Sequence, residues 1–274
     1  TRVGELPANG WGPPGTFNYT SQSFDYAGRP MAERLVEARR LYAAAGFSAL
    51  TQDERDAGAV LLDLGAGAVG ISAFSPEGLV HAETIAAGGV RLTRDLAQRL
   101  ETTFAAAERV KLAFGAVGGA CDPREAVQAP KLGLDGRLEA STTLRGVIAE
   151  TMTPRLAEML LAVRDRLSRA GLTGENAPKR VVLVGGGALI PGARDLAAEA
   201  LRLPVRVGRP FELCGFDHGE AGPAFATAAG LLRYRLDNPT LDDVEETFQP
   251  TLAHAAALMR NSASSAWNWL RENF

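Results

Sequence analysis

Two uninterrupted runs of apolar residues stand out along the chain, at 59–62 (Ala-Val-Leu-Leu) and at 181–184 (Val-Val-Leu-Val). A strand with one solvated face alternates apolar and polar residues, whereas a strand covered on both faces is apolar throughout. Each run is therefore predicted to be a buried strand. Alternation over 69–74 and the segment 79–85 predict two more strands directly after the first run, which makes this region a β-meander and not a βαβ unit.

Apolar residues at helical spacing predict most of the remaining structure. After the pair Gly88-Gly89, a helix is marked by leucines at four-residue intervals, namely Leu92, Leu96 and Leu100. Other helices are predicted at 31–41, 102–112, 193–201 and 223–235. The charged residues 52–56 are predicted to form a connection, and 117–140 an irregular region with short strands.

The longest amphipathic stretch runs from Val147 to Leu167 and contains a proline in its first half. Pro154 lacks the N–H group that a helix interior requires, so two structures are possible. Either one helix kinks there, or Thr153 caps a new helix that has Pro154 at its first position.

A glycine-rich turn follows the first buried strand and contains the spacing GxGxxG, from Gly65 to Gly70. In dinucleotide-binding proteins that spacing opens a helix, but here a strand follows, which argues against such a site. A tight glycine hairpin can instead direct backbone N–H groups at phosphate oxygens, and Asp63 at the strand end could hold Mg²⁺ through water. An ordinary glycine-rich hairpin is the alternative. The residues concerned are Asp63, Gly65, Ala66, Gly67 and Ala68.

A second glycine-rich turn follows the other buried strand and precedes a helix that Pro191-Gly192 opens. Three glycines without side chains let a flat ring or a ribose approach the backbone, and a helix N-terminus favours negative charge. A tight strand-to-helix connection would look the same. The two turns together, with helices between them, are typical of the second half of the nucleotide fold shared by actin, sugar kinases and chaperones. The residues of this turn are Gly185, Gly186, Gly187 and Ala188.

The C-terminal residues combine an acidic, proline-containing segment with an aromatic end. Residues 237–262 are predicted to be a linker and 263–274 an amphipathic helix, on which Trp267, Leu270 and Phe274 share one face while Trp269 points elsewhere. Trp and Phe on a short helix favour the interface between water and acyl chains, where Arg271 could contact anionic head groups. The alternative is a helix packed on the domain's own core.

Composition excludes several classes of function. The formal net charge of −3 gives no basic face for nucleic acid. The 2 cysteines form no CxxC pair and the 3 histidines form no HExxH pattern, so a structural metal site is not expected. No apolar run approaches the ~18–20 residues that cross a bilayer.

Over residues 40–274 the chain resembles FtsA, a family of bacterial cell-division proteins, in segments that occur in the family's order: 48–55, 61–67, 107–111, 182–188, 226–232 and 269–274. The resemblance implies an α/β protein with the actin/DnaK-type ATPase fold (ribonuclease H-like). It would be present as an incomplete second half at 57–236, with a helical insertion subdomain at 93–178. The cofactors implied are ATP and Mg. Glu108 and Lys111 are implied as nucleotide-binding residues in addition to those of the two turns.

The resemblance also implies partners. Members of the family hold the C-terminal tail of FtsZ on the inserted subdomain, for which Arg145, Glu150 and Arg155 are the candidates, although solvated charges on a helix would look alike. They self-associate and bind inner-membrane lipid through the terminal segment, here Trp267, Trp269, Leu270, Arg271 and Phe274. The implied location is the cytoplasmic face of the bacterial inner membrane at the division septum.

The chain also departs from the family pattern. Residues 1–39 do not match it convincingly, so 1–56 is expected to be a poorly matched N-terminal remnant. No first phosphate loop or polymerisation subdomain is found, and the start at Thr1 suggests a fragment. We therefore expect weakened ATP binding, no hydrolysis and no catalytic base, hence not an enzyme. A sugar-kinase-like enzyme and a pilus-assembly adaptor of the actin fold are the alternatives.

Overall fold

The computed structural model describes residues 43–174, 177–211 and 222–237. A five-stranded sheet in the order β3-β2-β1-β8-β9 organises these residues, and those up to Tyr234 form one compact unit. The strands of this sheet are β1 Ala59–Leu64, β2 Val69–Ser75, β3 Gly78–Ile85, β8 Arg180–Val184 and β9 Val205–Val207. Two small antiparallel pairs lie outside it: β4 Ala126–Gln128 with β7 Thr142–Leu144, and β5 Lys131–Leu132 with β6 Leu138–Glu139.

The sheet is mixed, and its pairing determines where the two glycine-rich turns lie. β1 pairs antiparallel with β2 and parallel with β8, in a register that places Asp63 beside Val184. The carboxyl ends of parallel neighbours meet at one edge of a sheet. The turn after β1 and the turn after β8 are therefore side by side, although more than a hundred residues separate them.

Helices cover both faces of the sheet, which explains the uninterrupted apolar runs in β1 and β8. Residues 43–49 are helical. The helices that follow are α1 Gln52–Ala57, α2 Gly89–Arg99, α3 Phe104–Phe114, α4 Arg145–Arg169, α5 Ala193–Leu201 and α6 Ala226–Asp237, with short 3-10 helices at Gly186–Leu189 and Gly222–Phe225. On one face Val60 and Leu62 belong to a core shared with α2 to α5. On the other face Leu61 and Val182 pack with Ala45 and Ala226.

The predicted connection at 52–56 is instead a helix. Thr51 and Glu54 form a reciprocal capping box, in which the threonine hydroxyl accepts from the Glu54 N–H and the Glu54 carboxylate accepts from the Thr51 N–H. This arrangement satisfies N–H groups that the first helical turn leaves without partners. Asp53 and Asp56 are exposed on this helix whereas Glu54 is buried, so the high charge of the segment does not indicate a loop.

A single helix, α4, passes through Pro154, which decides between the two structures considered for this stretch. The hydroxyl of Thr153 donates to the Ala149 carbonyl at 2.7 Å, one turn back, instead of capping a new helix. The strand predicted at 79–85 is confirmed as β3. The helix predicted at 102–112 is α3, which begins two residues later than predicted, at Phe104. Helix α6 includes Asp237, where the linker was predicted to start.

Among the described residues, no helix is both long and apolar enough to cross a membrane. The predicted helix at 31–41 and the segments 238–262 and 263–274 lie outside the described residues.

Candidate functional site

The turn at 65–68 joins β1 to β2 and leaves several backbone donors unused. The N–H of Gly65 donates to the Ala68 carbonyl at 3.0 Å and closes the turn. Among the described residues, the N–H groups of Ala66, Gly67 and Ala68 make no hydrogen bond. Consecutive backbone donors without partners form a concavity suited to an anion. The donors available to a phosphate are therefore those of 66–68, and not that of Gly65.

The carbonyl groups of the same turn bind the start of α2. The N–H groups of Gly89 and Val90 donate to the carbonyls of Gly65 and Ala66, at 3.0 and 2.8 Å. This approach requires glycine before the helix, because a Cβ at Gly88 would lie 2.5 Å from the Ala66 carbonyl oxygen. The N-terminal donors of α2 are thus satisfied by the turn.

The second turn packs against the end of β1. Gly185 has a φ of +82°, a conformation that favours glycine, and its N–H donates to the Pro223 carbonyl at 2.8 Å. A Cβ at Gly187 would lie 2.7 Å from the Cβ of Leu64, whereas a Cβ at Gly186 would meet no atom within 4 Å. The second turn therefore contacts the end of β1, which leads into the first turn, and Gly186 faces open space.

Both turns line one pocket of about 330 Å³, within the range of small-molecule sites. The sequence predicted half of its lining: Gly65, Ala66, Glu108, Lys111, Gly186 and Gly187. The other lining residues were not predicted: Gly89, Leu112, Gly115, Leu189, Ile190 and Pro191. The lining thus combines backbone of the two turns with the apolar side chains of Leu112, Leu189 and Ile190.

The remaining predicted residues of the two turns do not line the pocket. Gly67 and Ala68 belong to the first turn, while Gly185 and Ala188 are buried in the second. Gly67 and Ala68 nevertheless have unused N–H groups next to Ala66, which does line the pocket, and these N–H groups remain available to a ligand.

Glu108 and Lys111 lie on α3 and are joined through a residue that the sequence did not single out. Nζ of Lys111 donates to Oε2 of Glu108 at 2.8 Å and to the hydroxyl of Thr93 at 2.9 Å. Thr93 belongs to α2 and is fully buried. The Glu-x-x-Lys spacing on one helix was a visible signal for the pair, but nothing local indicates Thr93, which is 15 residues from Glu108.

Asp63 is buried behind the second turn and does not line the pocket. It is 7% exposed, and its Oδ2 accepts a hydrogen bond from the Thr227 hydroxyl at 2.5 Å. Burial raises the pKa of the Asp63 carboxyl above its ordinary value, and the hydrogen bond from Thr227 opposes that rise. Mg²⁺ commonly combines one or two carboxylates with waters and phosphate oxygens. Asp63 would supply one such carboxylate; the described residues contain no group of three or more potential metal-binding side chains.

The three candidate residues for partner binding lie on α4 in different environments. Arg145 pairs with Glu125 at 2.7 Å, and Arg155 forms two hydrogen bonds to the Asp95 carboxylate, at 2.6 and 3.2 Å. Glu150 is exposed. The predicted membrane-binding residues Trp267, Trp269, Leu270, Arg271 and Phe274 lie outside the described residues.

The chain is similar in sequence to one family of known proteins. The family model described as cell division protein FtsA matches residues 60–230. The chain is 35% identical over 233 residues to cell division protein FtsA of Rhizobium meliloti, covering 84% of this chain and 51% of that protein. It is 34% identical to FtsA of Agrobacterium fabrum, covering 84% and 52%. The chain thus spans about half the length of the curated relatives it matches.

The fold is that of the actin-like ATPases. MreB5 of Spiroplasma citri, solved with ADP bound, superposes with a TM-score of 0.59 at 16% identity, covering 72% of this chain and 61% of that one. At this identity the similarity shows the fold alone. The predicted actin-type α/β architecture is confirmed.

Proposed function

This chain belongs to the FtsA family of cell division proteins, and we propose that it is a nucleotide-binding adaptor that attaches FtsZ filaments to the inner membrane. The observation that carries the proposal is a pocket that both glycine-rich turns line. ATP, with Mg²⁺, is the ligand we propose for this pocket. The chain would act on the cytoplasmic side of the membrane at the division site.

The lining of the pocket suits the parts of a nucleotide. The unused N–H groups of 66–68 would receive phosphate oxygens. The apolar side chains of Leu112, Leu189 and Ile190 would contact the base, and the glycines of the second turn let a ring lie close to the backbone. Mg²⁺, held by phosphate oxygens and water, would offset phosphate charge near Asp63.

We propose that this chain binds the nucleotide without hydrolysing it. Of the described residues that line the pocket, Glu108 is the only carboxylate, and its Oε2 is occupied by Lys111 and Thr93. Asp63 accepts from Thr227 and is buried. A general base must reach the water that it activates; Asp63 does not line the pocket, and Glu108 is held through Oε2 by Lys111 and Thr93. The proposed role is that of a switchable adaptor and not of an enzyme.

The attachment of FtsZ and of the membrane is proposed at two separate places. The FtsZ tail would bind the subdomain at 93–178 on the surface around Glu150, and the amphipathic segment 263–274 would bind inner-membrane lipid. A single short helix binds a bilayer weakly, so self-association of several chains would supply the avidity.

Gly186 offers a test of the nucleotide site that spares the fold. A Cβ there would meet no atom within 4 Å, and because Gly186 lines the pocket, a larger side chain would occupy it. We expect Gly186→Val to weaken binding of ATP, measured by calorimetry, by at least about tenfold. Its unfolding temperature should stay within about 2 °C of the original.

The matched control is Ala105→Val, which adds a branched side chain to an exposed position of α3 that does not line the pocket. It should leave ATP affinity unchanged. Absence of ATP binding by the unaltered chain, or undiminished binding by Gly186→Val, would contradict the proposal.

A further inference from the structure

The ammonium group of Lys111 is engaged entirely inside the protein. Its side chain is 11% exposed, and Nζ donates to Glu108 Oε2 (2.8 Å), to Thr93 Oγ1 (2.9 Å) and, more weakly, to the Gly89 carbonyl (3.4 Å). A lysine ammonium has three donor protons and no acceptor. Each proton therefore has a partner in the protein, and Lys111 could reach a ligand only by breaking one of these bonds.

Thr93 joins the two helices that carry this network. Its hydroxyl accepts from Lys111 Nζ and has two possible acceptors for its own proton, Glu108 Oε2 and the Gly89 carbonyl at 3.0 Å. A hydroxyl has one proton, so it donates to one of them at a time. Donation to Glu108 connects α2 with α3, whereas donation to Gly89 stays within α2.

Glu108 and Lys111 both line the pocket, and of the two Glu108 is the one that keeps an acceptor atom for a ligand. Its Oε2 accepts from both Lys111 and Thr93, while its Oε1 makes no hydrogen bond to any described residue. An ionised carboxylate oxygen only accepts hydrogen bonds. Oε1 is therefore suited to a ligand group that donates, such as a ribose hydroxyl.

We infer that Thr93 is a positioning residue that sets the preference of the pocket for ligands with ribose hydroxyls. Thr93 touches no ligand itself, because it is fully buried. It holds Oε2 of Glu108 together with Lys111, and thereby fixes the direction in which Oε1 can accept. The inference rests on the proposed nucleotide function and assigns Lys111 to orienting Glu108 instead of contacting the ligand.

The test compares binding of ATP and of 2′,3′-dideoxy-ATP, which lacks both hydroxyls, to the full chain. Thr93→Val keeps the shape and removes the hydroxyl. It should weaken ATP binding about tenfold, the loss expected for a hydrogen bond to a charged group, and leave dideoxy-ATP binding nearly unchanged. Thr93→Ser, which restores a hydroxyl, should recover at least part of the preference for ATP.

Thr151→Val is the matched control. Thr151 donates to the Val147 carbonyl one turn back at 2.7 Å, as Thr93 does to Gly89, but it lies on α4 and does not line the pocket. It should leave both affinities unchanged. Equal weakening of ATP and dideoxy-ATP by Thr93→Val would overturn the positioning role while leaving the nucleotide function intact. Failure of the unaltered chain to bind either ligand would overturn both.

Lys111→Met gives an independent measurement, also if Thr93→Val does not fold. Because Lys111 acts through Glu108, this variant should weaken ATP and adenosine by the same factor. A larger loss for ATP than for adenosine would indicate a direct contact with phosphate and overturn the inference.

Discussion

Glu54 carries the most strongly perturbed charge among the described residues. It is 5% exposed, and its carboxylate accepts from Arg206 through Nε at 2.6 Å and through Nη2, and from Arg180 at 3.2 Å. Burial alone would raise its pKa. The hydrogen bonds from Arg206, Thr51 and Arg180 outweigh burial and lower the pKa of Glu54 to about 2.

This lowered pKa predicts a stability that depends on pH. The group has a folded pKa below its unfolded value of 4.5, so its contribution is complete above that value and is lost as pH falls through about 2. Glu54→Gln should reduce the free energy of unfolding near pH 7 by on the order of 3 kcal/mol. The difference between the two chains, measured by urea unfolding, should shrink steadily from pH 5 to pH 2.

The control is Asp56→Asn, an exposed carboxylate on the same helix. It should change stability by less than about 0.5 kcal/mol. A difference between Glu54→Gln and the original chain that stays constant over the same pH range would refute the role of this charge.

The capping box around Glu54 is visible in the sequence, whereas the arginine partners of Glu54 are not. The capping box of Thr51 and Glu54 spans three residues and was visible in principle, although the charge of the segment suggested a loop. The arginines lie 126 and 152 residues away along the chain, so only the fold brings them to Glu54. Thr93 was missed for the same reason, since its partners belong to the next helix.

Among the described glycines, the closest approach to another backbone is that of Gly230 in α6 to the helical residues 43–49. Gly230 faces that segment, and a Cβ on it would lie 1.9 Å from the carbonyl oxygen of Ala44. The backbone cannot yield as a flexible side chain can, because both elements are packed against the sheet.

We expect Gly230→Ala to destabilise the chain by about 2–3 kcal/mol or more, although alanine is the better helix former. The overlap with the Ala44 carbonyl forces α6 away from its neighbour. Thermal unfolding measures the effect, with Ala228→Ser on the exposed side of the same helix as the comparison. Equal unfolding temperatures for Gly230→Ala and Ala228→Ser would show that α6 can shift without cost.

The elements that could be predicted are those whose signal is local and strong. The apolar runs of β1 and β8 and the helix start at Pro191-Gly192 have the predicted structure. The path through Pro154 could not be decided from sequence, because both outcomes use the same residues and differ only in the partner of the Thr153 hydroxyl. The turn at 65–68 was found as a motif, but which of its N–H groups stay unused follows from three-dimensional closure.

The terminal segment 263–274 is predicted to bind the membrane. Trp267, Leu270 and Phe274 lie on one face of the predicted terminal helix, so deleting 263–274 should abolish flotation of the chain with liposomes that contain anionic lipid. The control is Trp269→Ala, which alters an aromatic residue off that face and should retain most flotation. Equal flotation of the truncated and complete chains would contradict the membrane role.

The surface around Glu150 is the place proposed for the FtsZ tail. Glu150 is exposed, so reversing its charge should alter binding without disturbing the ion pairs of Arg145 and Arg155. We expect Glu150→Arg to change capture by an immobilised FtsZ C-terminal peptide severalfold, and Glu199→Arg on α5, outside 93–178, to leave it unchanged. If Glu150→Arg and Glu199→Arg are captured equally well by the peptide, the FtsZ tail does not bind at Glu150.

The first turn also acts as a mechanical coupling. A peptide unit is a rigid plane, so the carbonyl of Gly65 and the N–H of Ala66 tilt together, as do the carbonyl of Ala66 and the N–H of Gly67. Those two carbonyls hold the first amides of α2. A ligand that binds the N–H groups of Ala66 and Gly67 would therefore also reorient the carbonyls of Gly65 and Ala66, because each pair belongs to one rigid peptide plane. Those carbonyls would in turn displace the first residues of α2.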